Sequence, residues 1–170
     1  SSGNHAQGIA YASRELGTSA KIVMPSDAPK IKIMKTQEYG AEVIFYERDE
    51  DNREEIGFSI AKEEGRKLIK PFDDLNVIYG QGTAALEVMD EVDTKFDMSV
   101  VCCSGGGLAA GTGIVLKNSL SDCQLYTAEP KDWNDHEKSF LQNNIVSIKT
   151  KKHGMCDALE NPQPGEITFR

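Results

Sequence analysis

The chain has 170 residues, 39% of them hydrophobic and 27% charged, with a formal net charge of −8; this is the composition of a globular protein of one domain or two small lobes. The acidic balance excludes a nucleic-acid surface and an anionic membrane surface as partners, since both require clustered Lys or Arg. Apolar runs such as 98–103 fall far short of the roughly 20 residues that cross a bilayer, so a solvated cytoplasmic protein is expected. No initiator Met, leading strand or signal segment stands before Ser1, and the chain reads as an internal piece of a longer protein.

Hydrophobic periodicity switches between helix and strand along the chain. Residues 4–16 read as a helix, 21–25 as a short strand closed by Pro25, and 29–39 as a helix that opens on Pro29 and stops at Gly40. Residues 41–47 form a second strand, 52–64 a charged helix ended by Gly65, and 67–71 a third strand. Together they make a βαβαβ lobe without its opening strand. Pro71-Phe72-Asp73-Asp74 interrupts the periodicity and favours a turn, which puts a domain boundary there, with lobes at 1–72 and 73–170. The second series is a helix at 77–92, an apolar strand at 98–103, a glycine-opened helix at 105–119, a strand at 124–128 and a helix at 132–141. Residues 166–169 read as strand-like. Strands alternating with helices predict an α/β chain: two open, three-layer αβα lobes with parallel sheets covered on both faces, both incomplete.

Four cysteines fit neither a zinc knuckle nor a CxxC pair, and Cys102-Cys103 lies in an apolar run where thiols behave as small buried hydrophobes. His136 and His153 have no partners at ligand spacing. Charge runs such as 47–51 read as solvated faces.

Two loops carry chemistry. Ser1-Ser2-Gly3-Asn4-His5-Ala6-Gln7-Gly8 sets hydroxyls, an amide and an imidazole at a helix start, where unpaired N–H groups and the helix dipole favour an anion. Ser104-Gly105-Gly106-Gly107-Leu108-Ala109-Ala110-Gly111 follows an apolar strand and opens a helix, so its N–H groups are free to cradle a phosphate. It lacks the Gly-Lys-Ser/Thr ending of a Walker loop and the Gly-x-Gly-x-x-Gly of a dinucleotide fingerprint. A tight glycine turn without a ligand, and for Ser2 a helix-capping hydroxyl, are the plain structural alternatives.

Together the two loops resemble those of the pyridoxal-phosphate (PLP) enzymes of the tryptophan-synthase fold type II, and most closely the serine/threonine dehydratase and serine racemase branch. Ala20-Lys21-Ile22-Val23-Met24-Pro25, Ala28-Pro29-Lys30, Tyr39-Gly40-Ala41, Gly80-Gln81-Gly82-Thr83 and Glu129-Pro130 agree in order and spacing. His5 and Gln7 favour this branch over cysteine synthases, whose loop reads Thr-Ser-Gly-Asn-Thr-Gly. The resemblance implies a PLP-dependent ammonia-lyase that converts a small hydroxy amino acid to a 2-keto acid and ammonia, with racemisation as a second outcome and a homodimeric whole protein. It implies PLP binding by Asn4 and by Ser104, Gly105, Gly106, Gly107 and Leu108. Ser1, Ser2, Asn4 and His5 would surround the substrate carboxylate, and Ser2 would be the catalytic group that exchanges a proton with the α-carbon.

Some members of this branch bind Mg2+, Ca2+ or Mn2+ through a glutamate, a backbone carbonyl four residues on and an aspartate six residues on, which Glu129, Trp133 and Asp135 match. Oxygen ligands suit such hard cations. The structural alternative is an acidic turn with Asp132 or Asn134 capping the next helix.

Departures from the pattern are informative. The cofactor-bearing lysine of these enzymes lies upstream of the Ser-Ser-Gly-Asn loop in a Lys-x-Arg-Gly setting, which no lysine here matches; nor does the chain offer the Ser or Cys that meets the pyridine nitrogen. The rival expectation is therefore a non-catalytic remnant that binds a phosphate or metabolite. Ser104 replaces the fourth glycine of many relatives, and Cys156-Asp157-Ala158 stands where racemases often read Ala-Asp-Gly.

Overall fold

The computed structural model describes residues 3–48, 50–150 and 152–170. The chain divides into two compact units, one running to Ile69 and one starting at Lys70.

In the first unit, α1 (Asn4–Glu15), β1 (Lys21–Pro25), α2 (Lys30–Glu38), β2 (Glu42–Tyr46) and α3 (Arg53–Glu63) follow in order. Strands β1 and β2 pair in parallel, with Lys21 opposite Glu42 and Pro25 opposite Tyr46. The core is built from small side chains: Ala6 and Ala10 of α1 pack with Ala20, Ile22, Met24, Ala28 and Ala41. Spacing of four residues puts Ala6 and Ala10 on one helix face, and their size lets α1 lie close to the sheet. Gly40 turns the chain from α2 into β2 at φ 88, a left-handed conformation that suits glycine. Asn52 starts α3: its side-chain oxygen accepts the Glu54 and Glu55 N–H groups, and its amide donates back to the Glu55 carboxylate, a reciprocal capping arrangement. The strand expected at 67–71 is absent among the described residues. Those residues have no regular structure, and the apolar pair Leu68 and Ile69 is 41% and 39% exposed, too short an apolar run to bury a face of a sheet.

The second unit holds α4 (Leu75–Glu91), β3 (Met98–Cys102), α5 (Gly107–Ser119), β4 (Gln124–Ala128), α6 (Asp135–Gln142) and α7 (Glu166–Phe169). Asp74 caps α4 by accepting the Asn76 and Val77 N–H groups at 2.8 and 3.3 Å, so the helix starts two residues earlier than its apolar period suggests. Strands β3 and β4 are parallel, with Met98 opposite Gln124 and Cys102 opposite Ala128. Helices α4 and α5 touch backbone to backbone where Gly82 meets Gly111.

Four expectations are corrected here. Residues 166–169 form a helical turn rather than a strand, because Asp73 and Gly165 hold its start: the Asp73 carboxylate accepts the Ile167 N–H at 2.8 Å. The helix expected at 132–141 is broken into a 3-10 turn at Lys131–Trp133 and α6 from Asp135. The sheet of this unit is not covered on both faces, since Met98, Val100 and Tyr126 are 57%, 62% and 49% exposed. On that same alternation of sides along β3, Cys102 is exposed and only Cys103 of the pair is buried.

Candidate functional site

The head of α1 carries the first loop. Ser1 and Ser2, expected to act on substrate, lie outside the described residues. Gly3 occupies the N-cap position of α1, and no side chain among the described residues caps the helix. Asn4 is exposed and His5 half-buried. His5 Nε2–H donates to the Ile69 carbonyl at 3.4 Å, which ties the loop to the end of the same unit. Burial holds the imidazole below its ordinary pKa, partly offset by the Ile69 carbonyl; the ring is neutral near pH 7.

The second loop belongs to the other unit. Apolar β3 delivers the chain to Cys103, whose N–H donates to the Ala128 carbonyl of β4 at 2.9 Å, and α5 begins four residues later at Gly107. Burial is the main reason that the Cys103 thiol is pushed up to about 12, with the carboxylates of Glu129 and Asp135 adding to it; it is an inert core group. Gly106 sits at the N-cap with φ 95, and no side chain caps α5. The loop is hemmed in on its protein side. A Cβ on Gly105 would lie 2.2 Å from the Phe72 ring, one on Gly106 would lie 2.8 Å from Thr168 and 2.9 Å from His136 Cε1, and one on Gly107 would lie 3.0 Å from Phe72 Cα. The glycines are thus required by the packing behind the loop. The N–H groups of residues 104–108 meet no acceptor among the described residues and stand at the positive end of a helix, the setting that binds phosphate.

Phe72 and Thr168 are absent from the expected site. Phe72 reads in the sequence as part of a turn and Thr168 as part of a strand, and their approach to the loop depends on contacts 33 and 63 residues apart in the chain. No local pattern announces such a contact.

The third group is the Glu129, Trp133 and Asp135 set. Glu129 Oε1 accepts the His136 N–H at 3.0 Å and Oε2 the Glu137 N–H at 2.9 Å. Glu129 is therefore the cap of α6. Asn134 occupies the N-cap position without making a cap bond, which corrects the choice of Asp132 or Asn134. Trp133 turns its indole away to donate to the Lys152 carbonyl at 2.9 Å. Asp135 is fully buried, and neither of its carboxylate oxygens meets a well-formed hydrogen-bond donor among the described residues. Burial foremost, reinforced by the Glu129 carboxylate, raises its pKa to about 7. Beside it His136 is buried with its Nε2 unpaired, and burial lowers its pKa. Among the described residues no three His, Cys, Asp or Glu side chains group to hold a metal ion; the expected set contributes only two carboxylates.

No helix among the described residues is long and apolar enough to cross a membrane. A family model described as "Pyridoxal-phosphate dependent enzyme" matches residues 1–170. The chain is 42% identical over 169 residues to a serine racemase of Schizosaccharomyces pombe, covering 99% of this chain and 52% of that protein. It is 44% identical over 169 residues to an L-threo-3-hydroxyaspartate ammonia-lyase of a Pseudomonas species, with 99% and 52% covered. A solved threonine deaminase from Solanum lycopersicum superposes with a TM-score of 0.89 at 32% identity, covering 99% of this chain and 49% of that one. The chain thus spans about half the length of the curated relatives it matches. Parallel strands in an α/β chain and the likeness to threonine deaminase make this the type II fold of PLP enzymes. The chain belongs to the pyridoxal-phosphate dependent enzyme family.

Proposed function

We propose that this chain is part of a PLP-dependent ammonia-lyase acting on a small hydroxy amino acid: serine, threonine or 3-hydroxyaspartate. The observation that carries the reading is the glycine loop at the start of α5, closed on its protein side by Phe72 and Thr168 and uncapped by any side chain. The residues fit the cofactor, since a phosphate supplies the acceptors that these N–H groups lack. Ser104, Gly105, Gly106, Gly107 and Leu108 would hold the phosphate, and Asn4 the pyridine ring. When bound, PLP withdraws electrons from the amino acid and makes its α-proton acidic.

The chain's own side chains orient and move protons. Ser1, Ser2, Asn4 and His5 would surround the substrate carboxylate; the Ile69 carbonyl takes the one N–H of a neutral His5, so the hydroxyls and the amide would donate to the carboxylate while His5 shapes the pocket without adding charge. Fixing the carboxylate holds the Cα–H bond in one direction. Ser2 would give or take a proton at the α-carbon on one face, and inversion of the centre would need a second acid–base group on the opposite face. Elimination removes water across Cα–Cβ and hydrolysis returns it, so the net products are a 2-keto acid and ammonia. Residues 1–72 would make most of a small lobe and 73–170 part of a larger cofactor-binding one.

A divalent cation, Mg2+, Ca2+ or Mn2+, would sit between Glu129, the Trp133 carbonyl and Asp135. The buried Asp135 carboxylate, which meets no well-formed donor among the described residues, supports this, since such a group next to a second carboxylate calls for a proton or a cation. Each Glu129 oxygen keeps a second lone pair beyond its cap bond.

The test is reconstitution of the natural full-length protein with PLP, followed by visible absorbance and keto-acid release from each of the three amino acids. A coloured protein that releases keto acid is expected. A protein that takes up inorganic phosphate yet stays colourless and inactive would establish the non-catalytic remnant instead.

A further inference from the structure

The loop that would meet the phosphate is held from behind by the last described residues of the chain. The Gly105 carbonyl accepts two hydrogen bonds there, from Thr168 Oγ1 at 2.6 Å and from the Gly165 N–H at 3.2 Å. Both donors belong to the turn of α7, and that turn is fixed in place because Asp73 accepts the Ile167 N–H at 2.8 Å. In a trans peptide the C=O and the following N–H point in opposite directions, and no peptide bond among the described residues is cis. Pulling the Gly105 oxygen toward Thr168 therefore turns the Gly106 N–H the other way, out of the protein side of the loop. No carbonyl or side chain among the described residues accepts that N–H. Thr168 and His136 also lie close behind Gly106, where a Cβ would stand 2.8 and 2.9 Å from them.

From this geometry we infer that Thr168 is a positioning residue for the anion cradle: its hydroxyl sets the Gly105–Gly106 peptide plane so that the Gly106 N–H faces the phosphate. The inference rests on the phosphate reading of the loop. It predicts an effect confined to ligands that carry a phosphate group. Removing the hydroxyl frees one of two anchors on the peptide plane and misdirects a donor, while the pyridine ring and the substrate carboxylate meet other residues.

The experiment compares PLP with pyridoxal, which lacks the phosphate, in the natural full-length protein and its Thr168→Val and Thr168→Ser variants. Thr168→Val keeps the shape and loses the donor; it is expected to weaken PLP about tenfold, the scale of one hydrogen bond, and to leave pyridoxal unchanged. The 31P resonance of bound PLP should move in the same variant. Thr168→Ser keeps the donor and should remain within about twofold of wild type. Wild-type affinity for PLP in Thr168→Val, equal loss of PLP and pyridoxal, or a serine variant as weak as valine would each overturn the role. Should the valine variant fail to fold, Thr168→Ala takes its place, with the same expected loss for PLP and none for pyridoxal, and wild-type PLP affinity in it would overturn the role. If the wild-type protein binds PLP and pyridoxal equally, the cradle reading itself fails, which is a distinct result from a silent Thr168.

Discussion

Glu129 accepts the main-chain N–H of His136 at 3.0 Å across seven residues, and this contact starts α6. A glutamate placed before a proline at the end of β4 thereby performs the capping work usually done by the residue at the N-cap itself. The same carboxylate lies beside Asp135 and pushes its pKa upward. One side chain links the start of a helix to a buried acid.

The cap can be measured apart from the acid at pH 5, where Asp135 retains its proton. Glu129→Ala removes the acceptors of two first-turn N–H groups and should cost about 1–2 kcal/mol in urea unfolding. Glu129→Gln keeps a carbonyl oxygen and should cost less than half of that. Equal losses in both variants would mean that the charge, and not the cap, is what matters.

Asp135 should give the metal-free protein a distinctive pH response. Its folded pKa of about 7 exceeds the ordinary 3.8, so between these values the native state holds a proton that the unfolded state has released. The resulting stability is complete below about pH 4 and is lost as pH rises through 7. His5 and His136, both held below 6.5 by burial, act oppositely: their contribution is lost as pH falls through 6.5. The Asp135 part is therefore read as a difference, and Asp135→Asn in EDTA should gain on wild type in Tm as pH goes from 5 to 8. Mg2+, Ca2+ or Mn2+ should raise the wild-type Tm more at pH 8 than at pH 6 and leave Asp135→Asn unmoved. A Tm indifferent to all three cations at pH 8 would remove the metal reading.

Periodicity located most elements of both units because their apolar spacing is local: the expected strand at 124–128 is β4 as observed, and the helix at 4–16 loses only its last residue. Failures fall where distant residues decide. Leu68 and Ile69 look like a strand, but a strand needs a ladder partner, and none of the described residues supplies one. Ile167 and Phe169 alternate like a strand, yet Asp73, 94 residues away, fixes the turn that they form. The glycine loop was legible because a strand, three glycines and a helix follow in direct sequence. Its backing by Phe72, His136 and Thr168 was not, because that is tertiary packing with no spacing rule.

The glycine loop should tolerate no side chain at its first glycine. A Cβ at Gly105 would stand 2.2 Å from the Phe72 ring, so Gly105→Ala must displace the ring or the loop. The expected result is loss of PLP binding together with about 1–3 kcal/mol of stability, the usual range for overpacking. Phe72→Leu should recover part of both in the double variant, since neighbours in contact are not additive. Additive losses would show that Phe72 does not wall the loop.

Ser2 carries the most specific expectation about outcome. If Ser2 handles the proton on one face only, Ser2→Ala should lower D-amino acid formation from an L-substrate at least about tenfold, the scale of one positioned acid–base group or more, while keto-acid release falls less. Chiral chromatography alongside a keto-acid assay measures the two rates. Parallel loss would reduce Ser2 to a carboxylate contact.

Gly111 provides a measure of how the second unit is held together, independent of any ligand. Helices α4 and α5 approach so closely that a Cβ on Gly111 would lie 2.4 Å from the Ile78 carbonyl and 2.6 Å from the Gly82 N, while one on Gly82 would lie 3.0 Å from the Gly111 carbonyl. These obstacles are backbone atoms inside helices, which cannot swing aside as a side chain can, so the helices themselves must part. Separation would also pull on the start of α5, four residues before Gly111, and so on the glycine loop. Gly111→Ala should therefore cost more than the gain of up to about 1 kcal/mol that alanine ordinarily brings to a helix interior. A net loss of roughly 1–3 kcal/mol is expected in urea unfolding. Gly80→Ala, on the same α4 with nothing within 4 Å of its Cβ position, should instead be neutral or stabilising. If both alanines behave alike, the close helix contact is not what holds this unit together.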